Sequence, residues 1–263
     1  MKIIKIFSIA ICSLSLVAVS IAYMEAPPKK AMEMQGLKNN DRGFAVVELF
    51  TSEGCSSCPP ADELISSIQK ENRSKQIYVL AYHVDYWNHL GWKDRFSDAA
   101  YSRRQRKYAD WLNLSSVYTP QVVVNGKTEF VGSDRQALTN AINTGLQDSS
   151  FKYLKIKSRL ENGQVIVEYQ TSETTKKSEL VIALIQKSGK STVNAGENSG
   201  HTLRHVQIVR KLLIEHLQKT SGKVNLALPG DYQGNEWELI AFIQNMDKGE
   251  IRSAAQAQIT NNK

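Results

Sequence analysis

The stretch 48–62 constrains the fold more than any other part of the sequence. The apolar run 45–50 predicts a buried strand, and Gly54 permits a sharp turn soon after it. Two prolines follow Cys58, and proline is favoured in a first helical turn because its missing N–H has no helical partner there. Cys55 and Cys58 are therefore predicted to lie where a strand passes into a helix.

The Cys-x-x-Cys spacing gives this pair a defined chemistry. The thiolate is the reactive form of cysteine, and a helix N-terminus stabilises negative charge. Two cysteines at this spacing can cycle between the dithiol and disulfide states. A static structural disulfide is one alternative. Half of a zinc site is another, but neither a second Cys-x-x-Cys nor a His-x-x-x-His pair follows at a suitable spacing to complete four ligands.

Composition restricts the class of protein. The chain has 263 residues, enough for one large domain or two ordinary ones, and 41% hydrophobic with 22% charged residues is typical of a globular protein. The formal charge is +7, but lysine and arginine are spread along the chain apart from a cluster at 103–107. Nucleic-acid binding requires a coherent basic face and a recognisable motif. The sequence has neither, so we expect no nucleic-acid partner and a largely solvated arginine cluster.

Residues 1–22 are predicted to be a cleaved secretory signal peptide. Lys2 and Lys5 precede an apolar core at 7–19 that is short for a transmembrane span. Cleavage removes these two lysines, so the charge of +7 falls by 2 to +5, and it leaves one close pair of cysteines, too few for a disulfide scaffold. We expect a secreted or periplasmic protein with no stable membrane anchor, beginning with a flexible polar lead-in over 23–42.

Residues 43–148 are predicted to alternate strands and helices. The helix after the cysteines, over 61–72, has its apolar residues on one face, and Asn125–Gly126 between two apolar runs predicts a hairpin. The other predicted elements are a strand over 76–84, a helix from Ser97 to about Asn113, strands over 122–124 and 128–131, and a helix from Ser133 or Asp134 to about Leu146. The resulting order is β-α-β, a connecting helix, and β-β-α.

Two loops of this region contain candidate functional residues. The loop 85–94 is rich in aromatic residues, contains Trp87 and follows His83; it is either a functional loop or local core folded over the sheet edge. Pro120 precedes a buried strand. A cis Thr119–Pro120 bond is predicted to place this loop against the cysteines, whereas trans proline at a strand start is the ordinary alternative.

The strand, the Cys-x-x-Cys at a helix start and the Thr-Pro before an Asn-Gly hairpin together resemble the thioredoxin-like fold. More narrowly, Phe-Thr-Ser-Glu-Gly-Cys-Ser-Ser-Cys-Pro-Pro-Ala-Asp at 50–62 and His-Val-Asp-Tyr-Trp-Asn-His-Leu-Gly-Trp-Lys-Asp at 83–94 resemble the secreted family DUF1223. The resemblance is strong over 44–131 and looser over 198–210. It implies the fold and cysteines of a redox protein, without a defined substrate.

Residues 149–263 are predicted to form a second, β-rich domain. Regularly spaced alternating strands suggest a sandwich that binds a partner or docks on the first domain. The strand candidates are 153–160, 164–171, 178–186, 202–213, 223–228, 236–245 and 251–259. Residues 206–217 could instead be helical. His201 and His205, four apart, could seat a metal on a helix, but with no third ligand nearby we predict no metal site.

These patterns predict an exported thiol–disulfide oxidoreductase with an α/β domain followed by an all-β domain. Cys55 is nearer the turn and is expected to be the more exposed sulfur. It attacks a substrate sulfur or accepts attack from one, and Cys58 resolves the mixed disulfide. Pro120, together with Thr119, holds the strand that docks a substrate peptide backbone beside the sulfurs. The expected partner is a protein thiol or disulfide, and no cofactor is expected.

Three further side chains are expected to support the site. Glu48 could accept the proton of Cys58, although the alternation of side chains along its strand opposes this, and a structural ion pair is equally consistent. Trp87 belongs to the aromatic loop, and His83 borders it. We expect the opposing effects of helix N–H groups and nearby acidic residues to set the pKa of Cys55 about one to two units below the reference of about 8.5. Such a pair favours reduction or reshuffling over disulfide formation.

Two other functions fit the sequence. The Cys-x-x-Cys contains two serines in place of an aromatic residue or a Gly-Pro pair, which leaves open a non-enzymatic envelope binding protein with a permanent disulfide. Copper handling through Cys55, Cys58 and His83 is the weaker alternative.

Overall fold

A computed structural model describes residues 43–150, 152–173 and 176–261, all of which belong to one compact unit, Leu37–Lys263. The predicted signal peptide and lead-in, residues 1–42, lie outside the described residues. Among the described helices, none is long and apolar enough to cross a membrane.

The chain alternates strands and helices first and then continues almost entirely in strands. The helices are α1 (Pro59–Glu71), α2 (Ala99–Leu112) and α3 (Arg135–Gln147), with short 3-10 turns at Asn88–Leu90 and Gly234–Glu236. The strands are β1 (Ala45–Thr51), β2 (Ile77–His83), β3 (Gln121–Val124), β4 (Thr128–Val131), β5 (Leu154–Glu161), β6 (Gln164–Thr171), β7 (Ser178–Thr192), β8 (Thr202–His216), β9 (Ser221–Ala227), β10 (Trp237–Asn245), β11 (Ile251–Gln258) and β12 (Thr260–Asn261). The protein is thus mixed α/β and dominated by strands.

The main sheet joins both parts of the chain. Within the described residues it has eight strands in the order β11-β10-β7-β8-β2-β1-β3-β4. The two parts meet where β2 pairs with β8 in parallel, at Ala81 and Ile208. Strands from before and after residue 149 therefore share one sheet, which brings side chains of β8 next to those of β1 and β2.

Different helices pack on the two faces of the main sheet. Val46 and Phe50 of β1 point to the face covered by α2, together with alternate residues of β7 and β10. Val47 and Leu49 point to the opposite face, where α1 and α3 pack. This alternation follows from the period of two along a strand. It places α1, which begins directly after Cys58, on the face opposite to the side chain of Glu48.

A second sheet, in the order β12-β5-β6-β9, packs on the C-terminal half of the main sheet. Its apolar residues, among them Val165 and Val167, contact alternate residues of β7 and β10 such as Ile182 and Ala241. This face-to-face packing agrees with the predicted sandwich-like arrangement, although one of its two layers is part of the sheet that contains β1.

Several local expectations can now be compared with the structure. The hairpin at Asn125–Gly126 is present. Its loop has three residues, because Val124 pairs with Thr128, and both Asn125 and Gly126 have positive φ. Asp134 caps α3 through the N–H of Ala137. The cap of α2 is Asp98 and not Ser97, because the Asp98 carboxylate accepts the N–H of Ala100. The helical alternative for 206–217 was wrong, since this segment is β8.

Candidate functional site

Cys55 and Cys58 lie at disulfide distance in the turn between β1 and α1, with their Cα atoms 5.4 Å apart. The start of α1 follows immediately, with Pro59 as its first residue. Both cysteines are 0% exposed. The expectation that Cys55 is the more exposed sulfur was therefore wrong, because tertiary contacts cover the turn that local sequence predicted to be open.

The Thr119–Pro120 segment adjoins the cysteine turn. The bond is cis, as predicted. The hydroxyl of Ser57 lies 3.4 Å from the sulfur of Cys55 and donates to the carbonyl of Thr119, also at 3.4 Å. These contacts place Thr119 beside the turn through Ser57; the proximity of Pro120 itself to the sulfurs stays a prediction.

Trp87 of the aromatic loop also borders this turn. Its indole N–H donates to the hydroxyl of Thr119 at 2.8 Å. A Cβ added to Gly54 would lie 3.0 Å from the Cβ of Trp87, which is tighter than ordinary van der Waals contact, so the glycine permits the close approach of this side chain. Trp87 therefore connects the two loops that the sequence had singled out.

The tip of the hairpin between β7 and β8, residues 194–199, closes over the cysteine turn; we call it the hairpin tip. The side-chain amide of Asn198 donates to the carbonyls of Glu53 and Cys55, both at 2.9 Å. The carboxylate of Glu197 accepts the backbone N–H of Ser56 at 2.9 Å, which lowers the pKa of Glu197. Two side chains of the C-terminal part thus hold the backbone around Cys55.

Beneath this turn lies a buried group of titratable side chains, which we call the histidine cluster: Glu53, Asp62, His83, Asp94 and His205. All five are at most 6% exposed. The rings of His83 and His205 lie 4.7 Å apart, centroid to centroid, in an edge-to-face arrangement. The cluster exists because β8 adjoins β2 in the main sheet.

A carboxylate contacts Nδ1 of each histidine of the cluster. Nδ1 of His83 lies 2.7 Å from Oδ2 of Asp94, which also accepts the backbone N–H of Glu53. Burial raises the pKa of Asp94, but the charge and hydrogen bond of His83 and two backbone N–H groups outweigh it, so this pKa is lowered. Nδ1 of His205 lies 3.4 Å from Oδ1 of Asp62, whose other oxygen accepts the hydroxyl of Thr51.

His205 also faces Glu53. Its Nε2 lies 3.5 Å from Oε1 of Glu53, while Oε2 of Glu53 accepts the indole N–H of Trp92 at 2.7 Å. Burial lowers the pKa of His205, but its close contacts with the negatively charged carboxylates of Asp62 and Glu53 raise it overall to about 10.

Three buried atoms of the cluster have no hydrogen-bond partner. They are Oε1 of Glu53, Nε2 of His83 and Nε2 of His205. Oε1 of Glu53 and Nε2 of His205 contact each other as an ion pair at 3.5 Å, so Nε2 of His83 is the one of these three atoms with neither a hydrogen bond nor an ion pair. A cleft of about 440 Å³ between α1 and β8 reaches this region, and its lining includes Ser52, Pro59, Asp62, Arg204 and His205.

The structure places the predicted site residues in different surroundings. Cys55, Cys58, Thr119 and Trp87 belong to one connected set of contacts, and His83 lies in the histidine cluster. Glu48 lies on the other face of the sheet, where Arg104 donates to it at 2.6 Å and Tyr108 also donates. These contacts match the structural ion pair and not a proton acceptor for Cys58. Arg104 is 5% exposed and thus departs from the solvated cluster expected around it.

Sequence reasoning did not identify Glu53, Asp62, Asp94 and Asn198 as site residues. Glu53 and Asp62 were weighed only as acidic charges near Cys55, and Asn198 only as part of the resembling stretch 198–210. His205 was weighed with His201 as a metal ligand on a helix, which the strand β8 does not provide. That stretch was the one available signal, since a loose match this far along the chain suggests a shared contact. Among the described residues, no three His, Cys, Asp or Glu side chains stand closely enough to hold a metal as placed, which includes the proposed copper ligands.

Comparisons with known proteins identify the family and the fold of this chain. Residues 46–244 match the family described as "Protein of unknown function (DUF1223)". A crystal structure of a protein from Agrobacterium tumefaciens has a TM-score of 0.64 at 24% identity, over 81% of this chain and 93% of that one, and shows the same fold. A domain of the outer membrane lipoprotein Omp28 from Porphyromonas gingivalis reaches a TM-score of only 0.29 at 9% identity, covering 44% of this chain and 93% of that one, and supports no inference. No curated protein matches the chain.

Proposed function

Because this chain belongs to the DUF1223 family, which defines no activity, we propose a function from the site itself: thiol–disulfide exchange by an exported protein. The observation that carries the proposal is the Cys55–Cys58 pair at disulfide distance directly before α1. Thiols at a helix start are stabilised as thiolates, and a pair at this separation can open and close without moving the backbone far.

The surroundings of the pair support a thioredoxin-like unit over residues 43–148. β1, α1, β2, α2, β3, β4 and α3 follow one another in the predicted order, and the Thr119–Pro120 loop meets the cysteine turn through Ser57. We infer that Thr119 and Pro120 present the backbone on which a substrate peptide docks. We propose that the predicted signal peptide at 1–22 directs this chemistry to the periplasm or outside the cell.

Exchange would proceed in two balanced steps. The thiolate of Cys55 attacks a substrate disulfide, forming a mixed disulfide and releasing one substrate thiolate, which takes up a proton. Cys58 loses its proton and attacks the sulfur of Cys55, releasing the second substrate thiolate and closing the Cys55–Cys58 bond. Two electrons pass to the substrate, and a dithiol partner protein would restore the reduced pair.

Both sulfurs are buried, so exchange requires the hairpin tip to move. Within the described residues, the side chains of Asn198 and Glu197 form the hydrogen bonds that join the tip to the cysteine turn. Each such bond contributes about 1 kcal/mol, so local opening is accessible without unfolding the sheet. We therefore propose that the hairpin tip gates access to Cys55.

The burial of the pair favours a second candidate function, a binding protein with a permanent disulfide. A structural disulfide is expected to be buried and resistant to reduction, and 0% exposure of both sulfurs fits that role. In this case the hairpin tip would be part of the static fold, and the disulfide would serve only to fix the turn before α1.

Redox equilibration separates the two functions. The mature protein is incubated in glutathione buffers of graded potential at pH 7, alkylated, and analysed by mass spectrometry for two free thiols. An intermediate potential, in the range of about −180 to −270 mV that catalytic dithiols occupy, supports exchange. A pair that is reduced only below about −300 mV, or only after unfolding in urea, contradicts exchange and supports the structural disulfide.

A further inference from the structure

We propose that a cavity at the C-terminal end of α1 binds a small sugar that carries a negative charge. The cavity has a volume of about 340 Å³, and its lining comes from α1, β2 and four strands of the C-terminal part of the chain, β7, β8, β10 and β11. The cysteine pair lies at the other end of α1, before its first residue. The proposal is therefore independent of thiol exchange.

The pairing of β2 with β8 explains why a cavity lies here. Among the described residues, these two parallel strands are paired at Ala81 and Ile208 alone. Residues 77–78 of β2 and 206–207 of β8 precede that position in both strands, and they line the cavity. Paired strands lie about 4.8 Å apart and leave no room for a ligand between them. The cavity thus forms where the two strands stop pairing.

Positive charge dominates the lining of this cavity. It includes Lys70, Arg73, Lys75 and Lys187, and one carboxylate, Glu238. The first three are exposed and form no ion pair or hydrogen bond with another described residue. A helix C-terminus attracts cations, which accounts for Lys70 but not for Lys187 of β7. Several unpaired cations around one concave site attract an anionic ligand.

The carboxylate of Glu238 does not neutralise these exposed cations. It is 4% exposed, and its oxygens accept the side-chain amides of Gln207, Gln256 and Gln258 at 2.9, 2.8 and 3.2 Å. Lys187 lies 3.8 Å from it. The negative charge of Glu238 is thus already surrounded by donors, and the three exposed cations remain available to a ligand.

The inner part of the cavity offers polar groups that an anion alone does not use. Gln207 is 3% exposed, and because its Nε2 donates to Glu238, its Oε1 is left buried without a hydrogen bond. Its φ of 53° is rare for a non-glycine residue, and such backbone strain is often retained at binding sites. The hydroxyl of Tyr78, which also lines the cavity, has no hydrogen bond to another described residue.

These two groups select the class of ligand. The unpaired oxygen of Gln207 accepts hydrogen bonds, so the ligand must bring a donor, and a sugar hydroxyl is one. The Tyr78 ring gives an apolar surface beside a polar hydroxyl, which suits a sugar ring. A carboxylate or phosphate on that sugar would contact the exposed cations. A neutral sugar leaves the cations unused, and a simple inorganic anion brings no donor for Gln207.

Calorimetric titration of the full mature protein tests the site, with the disulfide intact, at pH 7 and about 50 mM salt. The probes are glucuronate, glucose 6-phosphate, glucose and sulfate. We expect glucuronate or glucose 6-phosphate to bind with a Kd below about 5 mM, and the tighter of the two identifies the acidic group. Glucose and sulfate should each bind at least tenfold more weakly. Binding of neither charged sugar, or of glucose or sulfate within tenfold, overturns the proposal.

Two double variants with the same loss of charge locate the binding. Arg73→Gln/Lys75→Gln should weaken binding of the charged sugar about tenfold, because it removes two charged contacts at the cavity. Arg103→Gln/Lys219→Gln removes two exposed cations outside the cavity and should bind like the parent. Equal weakening in both variants would show a general charge effect and overturn the proposal.

NMR of the unmodified protein keeps the test decisive if a variant misfolds. The charged sugar should shift the side-chain amide of Gln207 and the ring signals of Tyr78. The side-chain amide of Asn198, at the hairpin tip, should stay unchanged. Unchanged signals of Gln207 and Tyr78 at saturating sugar overturn the proposal.

Discussion

Two buried polar groups join the N-terminal and C-terminal parts of this protein, on opposite faces of the main sheet. On the α2 face, both carboxylate oxygens of Glu48 accept bonds, from Arg104 and Tyr108, and Arg104 also donates to Gln244 of β10. On the α1 face, Oε1 of Glu53 and Nε2 of His205 form an ion pair at 3.5 Å without a hydrogen bond, and Nε2 of His83 has neither. The four side chains of the first group are hydrogen-bonded to one another, although the hydroxyl of the neighbouring Tyr82 is not, and the histidine cluster is hydrogen-bonded only in part. Both groups are almost fully removed from water.

This difference separates a structural role from a candidate functional one. A saturated buried network specifies the fold, because every member loses its partners if the two parts separate. Unpaired buried atoms cost stability and persist where another interaction, such as a ligand, compensates them. The comparison predicts that substitutions in the Glu48 network lower stability more than substitutions in the histidine cluster.

The largest expected effect is on the Glu48 network. Arg104→Met removes the cation and leaves the Glu48 carboxylate buried without its charge partner. Breaking a buried pair in this way costs about 3–5 kcal/mol, which should appear as a large fall in the urea midpoint. Arg103→Met, at the exposed neighbouring position, should stay within about 0.5 kcal/mol of the parent. Equal midpoints for the two variants would remove the basis of the comparison.

A smaller effect is expected in the histidine cluster. Glu53→Gln removes one of the three carboxylates but keeps an oxygen that accepts the indole N–H of Trp92, and His205 keeps Asp62 as its partner. We expect the free energy of unfolding to change by no more than about 1 kcal/mol. The measurement is again a urea titration by circular dichroism. A loss as large as that of Arg104→Met would show that the cluster is as structural as the Glu48 network.

The effect of opening the hairpin tip is expected in the rate at which the Cys55–Cys58 bond is reduced. Asn198→Ala removes the two bonds to the carbonyls of Glu53 and Cys55, each contributing about 1 kcal/mol. If opening limits access, the pair should be reduced by dithiothreitol about tenfold faster in this variant. Asn194→Ala, exposed in the same tip, is the matched control. Unchanged rates in both variants would contradict gating by the tip.

The smallest expected effect concerns pH. The bond from Ser56 lowers the pKa of Glu197 in the folded protein, so this contact is present above the ordinary carboxyl pKa and is lost as pH falls through the lowered value. Reduction by a phosphine, which acts in acid, should therefore accelerate about twofold more between pH 6 and pH 3 in the parent than in Glu197→Gln. An identical pH profile in the two proteins would show that this bond does not restrain the tip.

Local features of this fold were predictable because neighbouring residues encode them. The apolar run before Gly54, the prolines after Cys58 and the Asn125–Gly126 turn act within a few residues, and each produced the expected strand end, helix start and hairpin. The cis Thr119–Pro120 bond also followed from proline chemistry. Alternation along β1 correctly placed Glu48 away from α1, since side-chain direction in a strand is fixed by residue parity.

Tertiary structure alone decided which distant residues meet. Asn198 lies 143 residues from Cys55 in sequence, and His205 lies 143 residues from Asp62. Periodicity reports whether a strand is buried but not which strand lies beside it, so nothing local placed β8 next to β2. That single pairing buried Cys55, which the sequence had predicted to be exposed, and brought His205 to His83. The sequence determined the cysteine turn; the order of strands in the sheet determined its surroundings.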